Sequence, residues 1–269
     1  LNLTDPKTLS DFLSHHGVAA RKGLGQHFLC SPSAVSAVVG RLDGIEGVLE
    51  IGPGPGVLTG ALCDAGKKVI ALEIDAEMAA LLPESAPCAS VLRIDALKAD
   101  LAEILQRLPQ PCAVVSNLPY YITAPLVSAI ANARQHYAKS VLMMQKEVGE
   151  RYLARPGERE RGSISVYLQA LFGIKKVANV PKGAFLPPPK VDSLILEFKP
   201  LPEANYEEPF FRFVREGFTQ PRKTLVNNLS AHNRLRVEEA LTELGLSSTI
   251  RPHELTLPSW TKLFEAICQ

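Results

Sequence analysis

The run Gly47-Val48-Leu49-Glu50-Ile51-Gly52-Pro53-Gly54-Pro55-Gly56 says more about architecture than any other segment. An apolar stretch suited to a buried strand enters a glycine-rich turn, and Val57 to Ala65 continues as a helix. Strand, glycine turn and helix in that order open a parallel α/β sheet, since glycine lets the backbone turn tightly and approach a ligand. The spacing is G-x-G-x-G rather than the G-x-G-x-x-G of dinucleotide binding. No Lys-Ser/Thr follows, which excludes a nucleoside-triphosphate loop. Glu50 is unusual on a buried strand, where a carboxylate is expected to seek the donors of the glycine turn or a cationic ligand.

Working outward, Lys68 to Asp75 reads as a second strand with acids at its tip. Glu73 stands 21 residues after Gly52, where an acid can bind ribose hydroxyls. Asp75 suits the cap of a helix from Ala76 to Leu82 better. Val91 to Ala96 reads as a third strand, and Asp95 at its end either accepts from an adenine amine or caps a turn. A fourth strand, Cys112 to Ser116, ends in Asn117-Leu118-Pro119-Tyr120. Ligands of open α/β sheets gather at such carboxyl ends. Asn117 offers an amide acceptor, Pro119 biases Leu118 to an extended shape with its carbonyl outward, and Tyr120 offers a flat face. Two acceptors beside a stacking surface suit a planar ring bearing an exocyclic amine. A helix over Ala124 to Ala133 and a fifth strand over Ser140 to Lys146 follow.

The flanking segments are less specific. Thr8 to Val18 is a candidate amphipathic helix, and Arg21 to Leu29 is either a loop over a ligand or a linker. Ser31-Pro32 starts a helix, with Ser as cap and Pro in the first turn. Ile164 to Phe172 reads as a helix, and Ile174 to Val180 and Leu194 to Phe198 as an antiparallel pair. Between them, Val180 to Lys190 carries a triple proline and Phe185. That ring either stands opposite Tyr120 to sandwich a base or tucks into the core. Leu201 to Pro209 resembles a linker, dividing the chain into residues 1–200 and 201–269. Phe210 to Phe218, Lys223 to Leu229, Val237 to Leu244 and Trp260 to Ile267 read as helices, the last capped by Ser259.

A hydrophobic fraction of 46% fits a globular chain with a real core. No apolar run approaches the ~18–20 residues that span a bilayer, and no signal peptide or targeting arm is legible. The cysteines (Cys30, Cys63, Cys88, Cys112 and Cys268) are scattered, odd in number and without a C-x-x-C pair. That argues against a disulfide framework or a zinc site and fits a reducing cytoplasm. The net charge of +1 hides an asymmetry: residues 40–110 hold 6 Lys/Arg against 11 Asp/Glu, and residues 139–190 hold 10 against 4. The basic segment suggests a polyanion face, and an uneven solvated surface is the plainer reading.

Taken together, Leu24-Gly25-Gln26-His27-Phe28-Leu29, Glu50 to Gly56, Asn117 to Tyr120, Gln145-Lys146-Glu147-Val148, Phe185 to Ser193 and Gln220 to Leu225 resemble the ribosomal RNA adenine dimethyltransferases of the KsgA type. The resemblance covers nearly the whole chain. It implies an α/β, Rossmann-like sheet with helices on both faces plus a small C-terminal helical domain. It implies S-adenosylmethionine as cofactor and dimethylation of N6 on two adjacent adenosines near the 3′ end of small-subunit rRNA. A cytoplasmic monomer without metal, coupled to small-subunit assembly and working on pre-30S or 30S particles, is expected. By resemblance, His27 and Leu29 border the cofactor. Glu50, Gly52 and Gly54 shape its loop, Glu73 holds the ribose and Asp95 meets the adenine. Asn117 bridges cofactor and target, with Leu118, Pro119, Tyr120 and Phe185 completing the catalytic group. His27 stands where the family more often has Asn, and Tyr121 where Asn commonly follows the motif tyrosine. The nearest alternative is an Erm-type 23S rRNA adenine methyltransferase, and a mainly non-catalytic assembly checkpoint is the alternative of another class.

Overall fold

Helix starts follow the local chemistry. Asp5, Ser31, Asp75 and Asp100 each accept a backbone N–H in the first turn of a helix, satisfying donors that the helix itself leaves unpaired. A computed structural model describes residues 2–20, 26–202 and 206–268. Of the expected ligand loop or linker from Arg21 to Leu29, residues 21–25 lie outside the described residues, and its end forms a short strand, Phe28–Leu29. The chain parts into two compact units, Leu1–Gly149 with Ile174–Pro200, and Glu150–Gly173 with Leu201–Gln269.

The first unit runs α1 (Pro6–His15), β1 (Phe28–Leu29), α2 (Pro32–Val39), β2 (Gly47–Ile51), α3 (Val57–Asp64), β3 (Lys68–Leu72), α4 (Ala76–Ser85), β4 (Ser90–Leu92), α5 (Leu101–Gln106), β5 (Cys112–Asn117), α6 (Thr123–Asn132) and β6 (Lys139–Gln145). Helix α7 (Lys146–Leu153) leads into the second unit, where α8 (Ser163–Leu171) lies. The chain returns along β7 (Phe172–Val180), β8 (Phe185–Leu186) and β9 (Ser193–Pro200). The main sheet has the order β4-β3-β2-β5-β6-β9-β7 with helices on both sides. Its first five strands are parallel, and β9 runs antiparallel to β6. β1 and β8 form a separate antiparallel ribbon. β2 is buried throughout and β5 up to its last residue, as expected for strands covered on both faces.

The second unit is helical: α8, α9 (Glu208–Gly217), α10 (Leu225–Asn228), α11 (Arg234–Glu243) and α12 (Leu257–Cys268). The sequence reading placed residues 150–173 with the sheet. They group instead with the C-terminal helices, because α8 packs there, with Tyr167 edge-on to Phe211 at 4.6 Å. Phe213 and Phe218 pack on the buried Trp260 in the same unit. The last helix begins two residues before Ser259. Thr256 is its cap, accepting from the Ser259 N–H at 3.2 Å, and Ser259 lies inside the first turn.

Two further expectations change. Cys63 at the end of α3 and Cys88 after α4 form a disulfide, with Cα atoms 5.9 Å apart, contrary to the reading against a disulfide framework. Odd number and wide spacing carry no information about which side chains meet. The basic segment is divided between the units, and two of its cations are spent internally. Lys139 bonds the Arg41 carbonyl and reaches Glu197 at 3.8 Å, while Arg161 is buried and donates to Ala154 and Gln169. No helix among the described residues is long and apolar enough to cross a membrane.

Candidate active site

The chain moves outward from β2 to β3 and β4, then returns to the other flank of β2 as β5. Strand order therefore reverses between β2 and β5, and a crevice opens at their carboxyl ends. Ile51 pairs with Ser116, and the Ser116 hydroxyl donates to the Ile51 carbonyl at 2.7 Å. The next residues, Gly52 and Asn117, therefore leave adjacent strand ends together. Both line a cleft of about 250 Å³ in the first unit. Gly52 and Gly54 hold φ of +71° and +56°, a left-handed conformation costly to a side-chain-bearing residue.

The β4-β3-β2 side of the cleft carries four carboxylates: Glu50, Glu73, Asp75 and Asp95. Glu73 accepts the Asp75 N–H at 2.8 Å and the Gly54 N–H at 3.1 Å, tying the tip of β3 to the glycine turn. Burial pushes its pKa up, and those two N–H groups oppose the shift. Glu50 was expected to seek the loop's donors or a cationic ligand. Among the described residues its Oε2 is buried without a hydrogen-bond partner, and Glu73 takes the Gly54 N–H. Burial, reinforced by the Glu73 charge, raises Glu50 to about 8. A buried acid with an orphaned oxygen in a ligand cleft fits a cationic group, such as the ammonium and sulfonium of S-adenosylmethionine. Asp75 caps α4 as expected and accepts from Gln26 at 3.0 Å. β4 stops at Leu92, earlier than its sequence suggested, so Asp95 sits in the following turn, where it accepts the Leu97 N–H at 3.0 Å.

The β5 side is neutral. Asn117 donates through Nδ2 to the His27 carbonyl at 3.1 Å, which commits its NH2 to the protein and leaves Oδ1 as the other end of the amide. Leu118 donates to the Met143 carbonyl at 2.9 Å while its own side chain is buried. Pro119 leads into a tight turn over Tyr120–Ile122. The Tyr120 hydroxyl bonds Ser193 Oγ at 2.8 Å, and burial raises the phenol's pKa. The ring beside Tyr120 is His27, stacked with centroids 5.6 Å apart, and His27 Nδ1 donates to the Pro187 carbonyl at 2.8 Å. Phe185 does not take that place. It pairs with Leu29 in the β1–β8 ribbon, is 3% exposed in the core, and is not among the cleft-lining residues, whereas Leu29 is.

Of the apolar rim, sequence reading singled out Tyr121 and missed Ile74, Ile94 and Leu97. Ile74, Ile94, Leu97 and Tyr121 line the cleft with 58%, 38%, 41% and 57% of their surfaces exposed. The available signal was position: each follows or flanks a polar strand tip, where an apolar residue has no reason of its own to sit. The supporting contacts of His27 and Tyr120 with the Pro187–Ser193 loop left no comparable trace.

The sequence profile of the ribosomal RNA adenine dimethylase family matches residues 17–269. A relative from Bacillus mycoides, ribosomal RNA small subunit methyltransferase A, is 37% identical, with the alignment covering 99% of this chain and 97% of the relative. The fold is similar to that of a dimethyladenosine transferase from Plasmodium falciparum (TM-score 0.74, 27% identity, 89% of this chain and 96% of that one). It is also similar to the 23S rRNA methyltransferase ErmE (TM-score 0.68, 28% identity, 90% and 100%). A match over nearly the full length, on a chain whose glycine turn, acidic tips and Asn-Leu-Pro-Tyr motif share one cleft, means that this protein belongs to the ribosomal RNA adenine dimethylase family.

Proposed function

We propose that this enzyme places two methyl groups on N6 of each of two adjacent adenosines near the 3′ end of small-subunit rRNA, with S-adenosylmethionine as donor. The observation that carries the reading is the Ile51–Ser116 register, which sets the glycine turn and Asn117 side by side at the reversal of strand order. The small-subunit substrate is favoured over the large-subunit one by the relative named ribosomal RNA small subunit methyltransferase A, 37% identical with 99% of this chain and 97% of the relative aligned.

Bound S-adenosylmethionine supplies a methyl group activated by the sulfonium charge. The residues of this chain do the rest. Glu50 and Glu73 receive the cationic and hydroxyl-bearing parts of the cofactor, with Gly52 and Gly54 beneath them and Asp95, His27 and Leu29 at its borders. The obstacle on the other side is the adenine N6 lone pair, which is delocalised into the ring. Asn117 Oδ1 and the Leu118 carbonyl accept the amine hydrogens and favour a pyramidal nitrogen. The bond from Asn117 Nδ2 to His27 keeps the amide from presenting its NH2 end. Tyr120, held by Ser193 and backed on one face by His27, offers its remaining face to the flipped base. Phe185 supports this wall from the core through β1, rather than touching the base. Orientation of the reactants contributes roughly 7–11 kcal/mol in favourable cases.

A ribosomal substrate places the protein with ribosomes in the cytoplasm, acting as a monomer on pre-30S or 30S particles and coupling modification to their assembly. The sheet unit carries the chemistry. The C-terminal helices are the candidate for particle recognition. Labelled S-adenosylmethionine incubated with unmethylated small subunits, large subunits and free rRNA tests the reading, with the product mapped by mass. Dimethyladenosine in small-subunit particles is expected. Label confined to large-subunit RNA would replace it with the Erm-type large-subunit activity, and tight particle binding without transfer would leave an assembly factor.

A further inference from the structure

We infer that Tyr121 is the stacking platform for the nucleotide next to the target adenosine, and so a specificity-determining residue; this rests on the RNA substrate proposed above. Tyr121 lines the cleft mouth with 57% of its surface exposed, and its hydroxyl makes no hydrogen bond among the described residues. Exposure of a single aromatic is ordinary. Three further features give this one a purpose.

First, its backbone is immobilised. Ile122 N–H donates to the Pro119 carbonyl at 3.2 Å, and the Thr123 hydroxyl reaches the carbonyls of Pro119 and Tyr120 at 3.1 and 3.3 Å. Successive side chains of such a turn diverge by about 120°. Tyr120 points to Ser193 and the pocket wall, so Tyr121 faces outward from a rigid base.

Second, none of the described residues lining the cleft is Lys or Arg, while four are carboxylates. None of the described lining residues can grip a strand by its phosphates, and the acids repel it. Among those residues, a neutral flat ring on the acid-free β5 side is a surface suited to hold RNA there. Third, extruding the target base strips its neighbour of a stacking partner. An aromatic with two side-chain torsions replaces that partner at small entropic cost and without regard to base identity. The two target adenosines are adjacent, so each is the other's neighbour during its own turn in the cleft.

The test is steady-state methylation of unmethylated small subunits by wild type, Tyr121→Ala, Tyr121→Phe and Tyr121→Leu, alongside calorimetric binding of S-adenosylhomocysteine to each. The expected result for Tyr121→Ala is a KM for particles raised about ten- to a hundredfold, with kcat within about twofold. Tyr121→Phe restores the KM, Tyr121→Leu does not, and S-adenosylhomocysteine affinity stays constant, which also reports correct folding. The inference is overturned if Tyr121→Ala matches wild type, if leucine rescues as well as phenylalanine, or if cofactor affinity falls in step with KM. A wild type inactive on small subunits overturns the underlying substrate reading, and is seen before any variant is compared.

Discussion

On the β4-β3-β2 side, the crevice is walled by four carboxylates, of which Glu50, Glu73 and Asp75 are buried. On the β5 side, none of the residues from Asn117 to Leu126 that line it is Asp, Glu, Lys or Arg. Both walls are strand tips of one parallel sheet, only a register step apart. Burying Glu50 with an oxygen that none of the described residues partners is unfavourable for a protein alone, and becomes favourable when a cation enters. The neutral wall has the opposite logic. Asn117 Nδ2 and the Tyr120 hydroxyl are engaged by protein partners, His27 and Ser193, and the proposed function assigns Asn117 Oδ1 and the Leu118 carbonyl to a flat, uncharged ring. The reversal of strand order is what lets one sheet offer both environments at contact distance.

The sharpest way to separate the halves is Asn117→Ala. Transfer should fall about 100- to 1000-fold in kcat, while S-adenosylhomocysteine binding is largely kept. Equal turnover in wild type and variant would sink the acceptor role. Next in size is the disulfide, which joins two elements of the acidic side across 25 residues. Cys63→Ser together with Cys88→Ser should cost about 3 kcal/mol in denaturant unfolding under oxidising conditions, and almost nothing relative to wild type under reduction.

Glu50→Gln addresses the acid itself. With a folded pKa raised from 4.5 to about 8, Glu50 holds a proton in the native state that it has lost in the unfolded chain. Its contribution to stability is therefore largest below pH 4.5, and declines as pH rises towards 8. The glutamine variant should lack that decline, gaining roughly 2–4 °C in Tm at pH 8 for each kcal/mol recovered. Cofactor binding should show the reverse: in wild type, S-adenosylhomocysteine affinity climbs with pH towards 8 as the proton is released, and in the variant it is weaker and flat. A wild-type affinity independent of pH would remove Glu50 from the cation site. The smallest effect is expected for His27→Ala, which removes one ring contact to Tyr120 and should lower kcat about three- to tenfold. A fall in cofactor affinity with kcat intact would assign His27 to the acidic side instead.

Sequence alone determined the parts governed by neighbours along the chain. The strand over residues 47–51, the glycine turn, the Asp75 and Ser31 caps and the Asn117 tip are each encoded within a few residues, because alternation, caps and turns are short-range chemistry. The convergence of the tips on one edge followed from the rule for parallel sheets. Tertiary structure decided the partners. His27 meets Pro187 across 160 positions, Tyr120 meets Ser193 across 73, and Cys63 finds Cys88 across a strand and a helix. It also sent Phe185 to the core rather than to the base, gave the Gly54 N–H to Glu73 rather than Glu50, and placed α8 with the C-terminal helices. Each of these depends on which surfaces are left facing one another once the sheet has closed, and no local pattern records that.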